Sequence, residues 1–340
     1  MKHIAELYAM RYLLWLLLGV FSFAGLSAQT PVKKIPKSKL PYVEKRLYIN
    51  PKSGFVRGTQ SFPRGKDTAL VCLIIPGSGP IDRDGNNGNI LHTDMYKMLS
   101  DSLATRGYAV IRYDKQGIGD SREVNFNEYN LRFDDYVRDA AAWIKDLKKS
   151  TNFNKVVVIG HSEGSLIGML AADSSGADGF VSIAGPAKSA DTLILEQLKG
   201  QQLTIYEEAA RITERLKRGE KVDTVSPLLQ AVYRPSTQGY LTSWFKYRPA
   251  SQIQLMKIPI LIIQGTTDIQ VNVAEAKSLK AAKPEAELVL LNGMNHVLKT
   301  APTDRGMNLA TYFNNNIPLH SELVPSLVTF LQKIESTPKR

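Results

Sequence analysis

A five-residue stretch, Gly160–Gly164 (Gly-His-Ser-Glu-Gly), follows directly after the apolar run Val156–Ile159. A G-x-S-x-G pattern after a buried strand predicts a nucleophile elbow, a sharp turn from the strand into a helix. The turn strains the backbone of Ser162, so the residues two positions either side of it must be small, and glycine has no Cβ to clash. The apolar segment Ser165–Ala172 predicts the helix that follows the turn. Since short patterns also arise by chance, the alternative is a strand-turn-helix whose serine has no catalytic role.

Length and composition describe a globular protein with a sizeable core. The chain has 340 residues, of which 43% are hydrophobic and 22% are charged, enough for one large α/β domain or two small ones. The formal net charge is +11, but the lysines are spread along the chain and no groove-reading motif accompanies them. We therefore expect a solvated cationic surface and no nucleic-acid partner. The single cysteine, Cys72, excludes an intramolecular disulfide and is expected to be a small buried hydrophobe.

The N-terminus has the layout of a secretory signal peptide. The apolar run Tyr12–Ala24 is preceded by Lys2 and Arg11 and followed by small residues near Ala28. The run is short for a membrane span, which needs about 20 apolar residues. We assign residues 1–29 to a signal peptide, with an uncleaved anchor as the alternative, and residues 30–41 to a linker. We thus expect an exported protein, periplasmic or secreted, with no stable membrane span after cleavage.

From residue 42 onwards, predicted strands alternate with predicted helices. This alternation is typical of βαβ units, so we expect an α/β fold with a mostly parallel central sheet and helices on both faces. The predicted strands are Tyr42–Asn50, Phe55–Phe62, Ala69–Ile75, Tyr108–Tyr113, Lys155–Ile159, Phe180–Ala184, Ile258–Gln264 and Glu287–Leu291. The predicted helices are Asp94–Arg106, Asp134–Lys149, Val273–Ala282 and Leu319–Ile334, besides the one after the elbow.

One segment breaks the alternation. At about residues 187–247 no buried strand is predicted, and polar helical stretches occur instead at Ala190–Leu203 and Ile205–Arg218. Because open α/β sheets bind ligands at the carboxyl ends of their strands, we interpret this insertion into a domain of residues 42–340 as a helical cap over that edge. A peripheral helical hairpin with no part in binding is the alternative.

A serine hydroxyl needs a base to remove its proton and a third group to orient that base. Among five histidines, His296 lies in a loop after the last strand, where the histidine of this arrangement is expected. His161, next to Ser162, is expected to pack beside the elbow. Asp268 follows the strand Ile258–Gln264 and is the candidate orienting carboxylate. A turn or helix-capping role is its alternative, and Glu275 is a weaker candidate.

An oxyanion hole needs backbone N–H groups aimed at the developing negative charge. One is expected from Glu163, the residue after the serine, and the second from the loop Pro76–Pro80, either Ser78 or Gly79. No GK[ST] follows these glycines, so a phosphate cradle is disfavoured, and no His/Cys cluster indicates zinc. We expect no cofactor and no metal. The charged stretch 81–87 either shapes the mouth of the site or orders this loop by an ion pair, and a solvated turn is the alternative.

Taken together, these motifs resemble the α/β-hydrolase superfamily over about residues 42–334. The chain is most similar to bacterial exported serine esterases with a PGSGP-x-DRDGN loop, here residues 76–86. Further matches are Tyr113–Ser121 (Tyr-Asp-Lys-Gln-Gly-Ile-Gly-Asp-Ser), the elbow, Gly265–Asp268 and Asn295-His296. Gln116 departs from the pattern, since the superfamily has arginine there, which bears on a structural ion pair and not on the triad. The resemblance implies carboxylesterase activity on small or medium acyl esters.

The leading hypothesis is thus an ester hydrolase with a small-molecule ester as its substrate. Ser162 would be the nucleophile, His296 the base and Asp268 its partner, through an acyl-enzyme. A serine peptidase or amidase with the same triad is an alternative, in which Glu207 and Glu208 would bind a free amine. A noncatalytic binding protein is a third hypothesis, although all three triad members are present in the sequence.

Overall fold

The computed structural model describes residues 39–51, 54–88, 90–123, 126–199 and 202–338. The predicted signal peptide and most of the predicted linker, residues 1–38, lie outside the described residues. Among the helices within these ranges, none is both long enough and apolar enough to cross a membrane.

The sheet has eight strands in the order β1-β2-β6-β3-β7-β8-β9-β10. Strands β1 and β2 pair antiparallel, as do β2 and β6, and every other neighbouring pair is parallel. A second, two-stranded sheet joins β4 and β5. The strands are β1 Tyr42–Ile49, β2 Val56–Pro63, β3 Ala69–Ile75, β4 Asn86–Asn87, β5 Leu91–His92, β6 Ala109–Tyr113, β7 Phe153–His161, β8 Gly179–Ile183, β9 Ile260–Gly265 and β10 Glu287–Leu291.

The α-helices connect the parallel strands or follow the last of them. In chain order they are α1 Met95–Thr105, α2 Phe133–Lys149, α3 Glu163–Ala171, α4 Ala190–Leu198, α5 Leu203–Lys217, α6 Gln230–Tyr233, α7 Gln238–Trp244, α8 Pro249–Leu255, α9 Val273–Ala282, α10 Arg305–Ala310 and α11 Leu323–Ser336. Strand β3 lies between β6 and β7 and is buried at every position. It includes Cys72, which is fully buried as expected.

Successive residues of β8 show that helices cover both faces of the sheet. A Cβ added at Gly179 would meet the side chains of Ile334 and Phe330 in α11, whereas the ring of Phe180 lies against Gly168 in α3. Because neighbouring residues of a strand point to opposite faces, α3 and α11 lie on opposite sides of the sheet. The predicted α/β architecture, a mostly parallel sheet between two helical layers, is confirmed.

Two predicted helix boundaries differ from the structure by four residues or more. The helix predicted over Ala190–Leu203 ends at Leu198, and a separate helix begins at Leu203. The last helix, predicted from Leu319, begins at Leu323. Leu319 instead forms an isolated β-bridge with Lys299. Leu319 and His320 are therefore outside the helix.

Contacts between Cα positions divide the chain into two compact units. The first is called the helical unit, and its described residues are Asn127–Asp135 and Lys188–Arg248 without residues 200 and 201. The second is called the sheet unit and contains all the other described residues. No strand lies in the described part of the helical unit. The expectation that these helices cover the substrate site stays a prediction.

The helical unit has an apolar core of its own, to which Asn127–Asp135 contributes. Phe133 is fully buried and stacks on Trp244, with ring centroids 5.7 Å apart and planes 7° from parallel. In the same unit, the Glu128 carboxylate accepts hydrogen bonds from Arg234 (Nε–Oε2 2.9 Å) and from the hydroxyl of Ser236. The buried core consists of Ala190, Leu198, Ala209, Ile212, Leu216, Val222, Val225, Leu229, Tyr233, Leu241 and Phe245.

Phe133→Ala is expected to destabilise the helical unit by about 3–5 kcal/mol, because a buried aromatic ring is replaced by a cavity. Hydrogen exchange at the amides of α5 and α7 measures the change. Tyr129→Ala in the same segment is the control, since that ring is 58% exposed. Equal exchange in the two variants would contradict the assignment of Phe133 to this core.

Candidate active site

Ser162 lies between the end of β7 and the first residue of α3, at the turn that the sequence predicts. Its backbone has φ 55° and ψ −120°, a conformation that residues with a side chain rarely adopt. The residue is half-buried, while its neighbours His161 and Glu163 are each 3% exposed. The hydroxyl is therefore at the carboxyl edge of a central strand, on a strained turn.

The two elbow glycines are required by close approach of backbone segments. A Cβ on Gly164 would overlap the carbonyl oxygen of Ile75 at the end of β3. A Cβ on Gly160 would overlap the carbonyl oxygen of Gly164. Any larger residue would push α3 away from the sheet, so these glycines bring the first turn of α3 against β3 and β7.

Asp268 and His296 are brought together, as predicted, by the loops after β9 and β10. His296 Nδ1 lies 2.9 Å from Asp268 Oδ2. The other carboxylate oxygen, Oδ1, accepts from the backbone N–H groups of Gln270 (2.8 Å) and Val271 (2.9 Å). Asp268 is thus both the turn aspartate and the partner of the histidine, which the sequence analysis treated as alternatives.

The pKa of Asp268 is lowered in this environment. Burial alone would raise the pKa, but the adjacent His296 and the two backbone N–H donors outweigh that effect. The carboxylate therefore stays ionised. The alternative carboxylate, Glu275, lies elsewhere: it is buried and accepts a hydrogen bond from the Ala187 N–H at 2.9 Å.

A chain of hydrogen bonds links the loop after β3 to the loop of His296. The Gly77 N–H donates to Tyr96 Oη (2.9 Å), which lies 2.8 Å from His161 Nδ1. His161 Nε2 lies 2.9 Å from the carbonyl oxygen of His296. A carbonyl only accepts, so Nε2 carries the proton, and Nδ1 of the neutral ring accepts from the tyrosine hydroxyl. Every donor in this chain has an acceptor.

His161 is neutral in this position. Burial and, to a smaller extent, the neighbouring His296 side chain lower the pKa of its imidazole to about 3, against smaller opposing effects of the hydrogen bond to the His296 carbonyl and of Asp268. From the sequence, His161 was expected to pack beside the elbow. Its ring contacts and hydrogen bonds hold it between Tyr96 and His296.

The predicted oxyanion loop, Pro76–Pro80, lies beside the elbow. A Cβ added at Gly77 would lie 3.2 Å from Ser162 Cβ. Ser78 is half-buried, and Gly79 is exposed with φ 79°. Glu163, the other predicted contributor of an N–H group, is the first residue of α3.

The charged stretch after this loop is ordered and is not a solvated turn. The backbone N–H of Arg83 donates to Asp114 Oδ1 at 2.7 Å, and its guanidinium Nη1 lies 3.3 Å from Asp114 Oδ2. Asp82 Oδ1 accepts from the backbone N–H groups of Asp84 and Asn86, each at 2.9 Å. An ion pair therefore holds this stretch in place, whereas its ordering of the loop Pro76–Pro80 stays a prediction.

Gln116 replaces the arginine of the superfamily pattern with a neutral donor. Its side-chain amide donates to the carboxylate of Asp139. The ion pair expected of that pattern is thus a hydrogen bond here. Within the described ranges, no group of three or more His, Cys, Asp or Glu side chains is arranged to hold a metal ion.

Comparison with known proteins gives related sequences and folds. Residues 86–234 match the sequence model of a family described as "Serine aminopeptidase, S33". The chain is also similar to Esterase EstD of Thermotoga maritima, with 27% identity over 264 residues. That alignment covers 76% of this chain and 60% of EstD, so the chain spans about three fifths of the curated relative's length.

Solved structures share the architecture. Est1E from Butyrivibrio proteoclasticus superposes with a TM-score of 0.56 at 17% identity, over 86% of this chain and 99% of Est1E. The α/β hydrolase GrgF from a Penicillium species superposes with a TM-score of 0.53 at 16% identity, over 86% and 97% of the two chains. The protein has the α/β-hydrolase fold. The family match and the relatives together support membership of the α/β-hydrolase superfamily.

Two residues next to the candidate site, Tyr96 and Lys115, were not predicted from the sequence. Tyr96 is on α1 and is 1% exposed. Lys115 lies in the loop after β6 and is also 1% exposed. The signal for Lys115 was its place in the Asp-Lys-Gln-Gly motif; nothing local distinguishes Tyr96 from a core tyrosine.

The neutral His161 predicts an acid-dependent loss of stability. An unfolded histidine, with pKa about 6.5, takes up a proton as the pH falls, while the folded ring does not until about pH 3. The folded state should therefore lose about 2 kcal/mol through this group between pH 7 and pH 5. Urea unfolding at both pH values measures the loss.

His161→Gln is expected to remove this share of the acid dependence, whatever its effect at pH 7. His92→Gln is the matched control, because His92 is exposed and outside the hydrogen-bond chain. An acid dependence that is the same in His161→Gln and wild type would contradict a neutral, buried imidazole.

Proposed function

We propose that this protein is a carboxylic ester hydrolase that uses Ser162, His296 and Asp268 through an acyl-enzyme intermediate. The observation that carries the proposal is the Asp268–His296 hydrogen bond of 2.9 Å, at the strand edge where Ser162 occupies its strained turn. A serine on such an elbow, with an oriented histidine, is the arrangement that activates a hydroxyl for acyl transfer. The name of EstD, an esterase, supports the same activity.

In the first half of the reaction, Ser162 Oγ attacks the ester carbonyl carbon and His296 Nε2 takes the hydroxyl proton. The carbonyl oxygen becomes an oxyanion, which accepts hydrogen bonds from the N–H of Glu163 and from the N–H of Ser78 or Gly79. The intermediate collapses, the alcohol leaves with the proton from His296, and the acyl group remains on Ser162. Water then repeats the sequence and releases the acid.

Asp268 contributes orientation and charge. By accepting the Nδ1 proton of His296, it leaves Nε2 free to act as the base. Its lowered pKa keeps it ionised, so it also stabilises the imidazolium that forms after proton transfer. The serine, base and carboxylate therefore have separate roles set by separate environments.

The proposal also covers the size of the substrate and the cellular location of the protein. Small or medium acyl esters are the proposed substrates, following the resemblance of the motifs. The segment Tyr12–Ala24, with basic residues before it and small residues after it, supports export to the periplasm or beyond.

Peptidase or amidase activity is a second candidate function, favoured by the family description "Serine aminopeptidase, S33". A free amine of a peptide substrate would need a carboxylate partner. Of the two candidates, Glu207 is exposed, and Glu208 Oε1 already accepts the Ser226 N–H at 2.8 Å. Glu207 is therefore the more available of the two carboxylates.

The decisive test compares the protein with its Ser162→Ala variant on p-nitrophenyl esters of increasing acyl length and on aminoacyl p-nitroanilides. We expect ester cleavage that falls at least about 10³-fold in the variant, because the nucleophile is removed while the fold is kept. Serine-dependent cleavage of the anilides alone would favour the peptidase. A variant that keeps a tenth of the wild-type rate would exclude Ser162 as the nucleophile.

Asp268→Asn is expected to lower kcat by about 10³- to 10⁴-fold, since an amide stabilises the wrong histidine tautomer. Steady-state kinetics on the best ester measure the change. Glu275→Gln is the matched control and should stay within about threefold of wild type, as this buried carboxylate binds a backbone N–H away from His296. The opposite pattern would make Glu275 the orienting carboxylate.

A further inference from the structure

A buried ammonium group joins the two backbone segments that would form the oxyanion hole. Lys115 Nζ donates to the carbonyl oxygen of Gly77 at 2.6 Å and to Glu163 Oε1 at 2.8 Å. The Lys115 and Glu163 side chains are 1% and 2% exposed. The ammonium also lies 4.7 Å from the centre of the Tyr136 ring. None of these contacts has a part in the reaction steps described above.

The geometry of a peptide group gives the Gly77–Lys115 contact a consequence for Ser78. The Gly77 carbonyl and the Ser78 N–H belong to the same planar group, and in a trans peptide they point in opposite directions. A carbonyl directed at the buried Lys115 therefore directs the Ser78 N–H away from it. The N–H of Gly79 belongs to the next peptide group, which this contact does not orient.

The preceding peptide group is fixed as well. The Gly77 N–H donates to Tyr96 Oη, so Gly77 is hydrogen-bonded through both its own N–H and its own carbonyl. Two bonds on opposite sides of one residue leave the adjacent peptide planes little freedom to rotate. The loop thus presents a set direction before any substrate binds, which is the condition for an effective oxyanion hole.

The second partner of the ammonium is equally informative. Glu163 is the first residue of α3, and its backbone N–H is the other proposed oxyanion donor. Lys115 therefore contacts the residue that carries one donor and the peptide group that carries the other. In addition, a cation bound to the Gly77 carbonyl polarises that peptide group and makes the Ser78 N–H a stronger donor.

We propose that Lys115 is the positioning residue of the oxyanion hole, that it acts through the Ser78 N–H and Glu163, and that Ser78, not Gly79, supplies the second donor. The inference rests on the proposed ester hydrolysis. Burial of an ion pair contributes little net stability compared with an apolar pair of similar volume. This pair contacts the peptide group of one donor and the side chain of the residue that carries the other, which gives it a role in function.

The main test replaces the whole pair, Lys115→Met with Glu163→Met, so that no unpaired charge remains buried. Lys155→Met is the matched control, because Lys155 is also buried and pairs with Asp178. It lies near the amino end of β7, whereas Ser162 follows the carboxyl end of the same strand. Kinetics are measured on a p-nitrophenyl ester. Binding is measured with a trifluoromethyl ketone, which adds to the serine and places an oxyanion in the hole.

We expect the double variant to lose about 10- to 100-fold in kcat with KM within about threefold, less than the loss on deleting a donor. The inhibition constant of the ketone should rise by the same factor as kcat/KM falls, since both depend on the oxyanion. The control should match wild type in both. A folded double variant with a wild-type kcat, or with a lower kcat but unchanged ketone binding, would overturn the proposal.

A measurement on the unmodified protein does not depend on how the variant folds. Upon ketone binding, the amide proton of Ser78 should move downfield in a ¹H–¹⁵N spectrum, while that of Gly79 stays nearly unchanged. Movement of Gly79 alone would overturn the assignment of the donor. The esterase assay distinguishes failure of this inference from failure of the proposed function. If the wild type cleaves esters and Ser162→Ala does not, the proposed function holds and the results above test Lys115 alone. A wild type that cleaves no ester would overturn both proposals.

Discussion

The close contact between the first turn of α3 and the ends of β3 and β7 is the constraint on which the candidate site depends. Gly164 lies against the Ile75 carbonyl, and Gly160 against Gly164 itself. With α3 this near the sheet, the chain reaches it only through a turn that strains Ser162. The same proximity brings the loop after β3 beside the serine, so the nucleophile and the oxyanion loop are positioned by one packing arrangement.

Near this contact, buried polar side chains form hydrogen bonds to the backbone of the loops and so hold the loop backbone in place. Tyr96 binds the Gly77 N–H and Lys115 binds the Gly77 carbonyl, while His161 binds the His296 carbonyl. Each of these side chains is buried, and each bond ends on a main-chain atom of a loop. Loops are normally the mobile parts of a domain. These bonds therefore restrict the motion of two loops at the site, the loop after β3 and the loop after β10.

Local pattern predicted much of the fold. Strands Ala69–Ile75 and Glu287–Leu291 and helix Val273–Ala282 have the predicted bounds, because apolar runs and helical spacing act over a few neighbouring residues. Asp268 and His296 were also predicted as partners, since the order of strands brings their loops to one edge. Their hydrogen bond agrees with that prediction, whereas the role of Ser162 remains proposed.

What the sequence did not predict depends on contacts between distant parts of the chain. Tyr96 is 65 residues from His161, and Lys115 is 48 residues from Glu163. The same holds for Asn127–Asp135, which belongs to the helical unit although the insertion begins more than 50 residues later. No periodicity or turn signal carries such information, because the pairing arises only when the sheet has formed.

The described residues of the helical unit come from two separate segments of the chain, which bears on how such proteins can be recombined. A chimera that exchanged only residues 188–248 with those of another protein of this fold would separate Trp244 from Phe133 and Arg234 from Glu128. An exchange of this unit between proteins of the same fold therefore has to transfer residues 127–135 as well. In evolution, the two segments should likewise change together, although they are far apart in the gene.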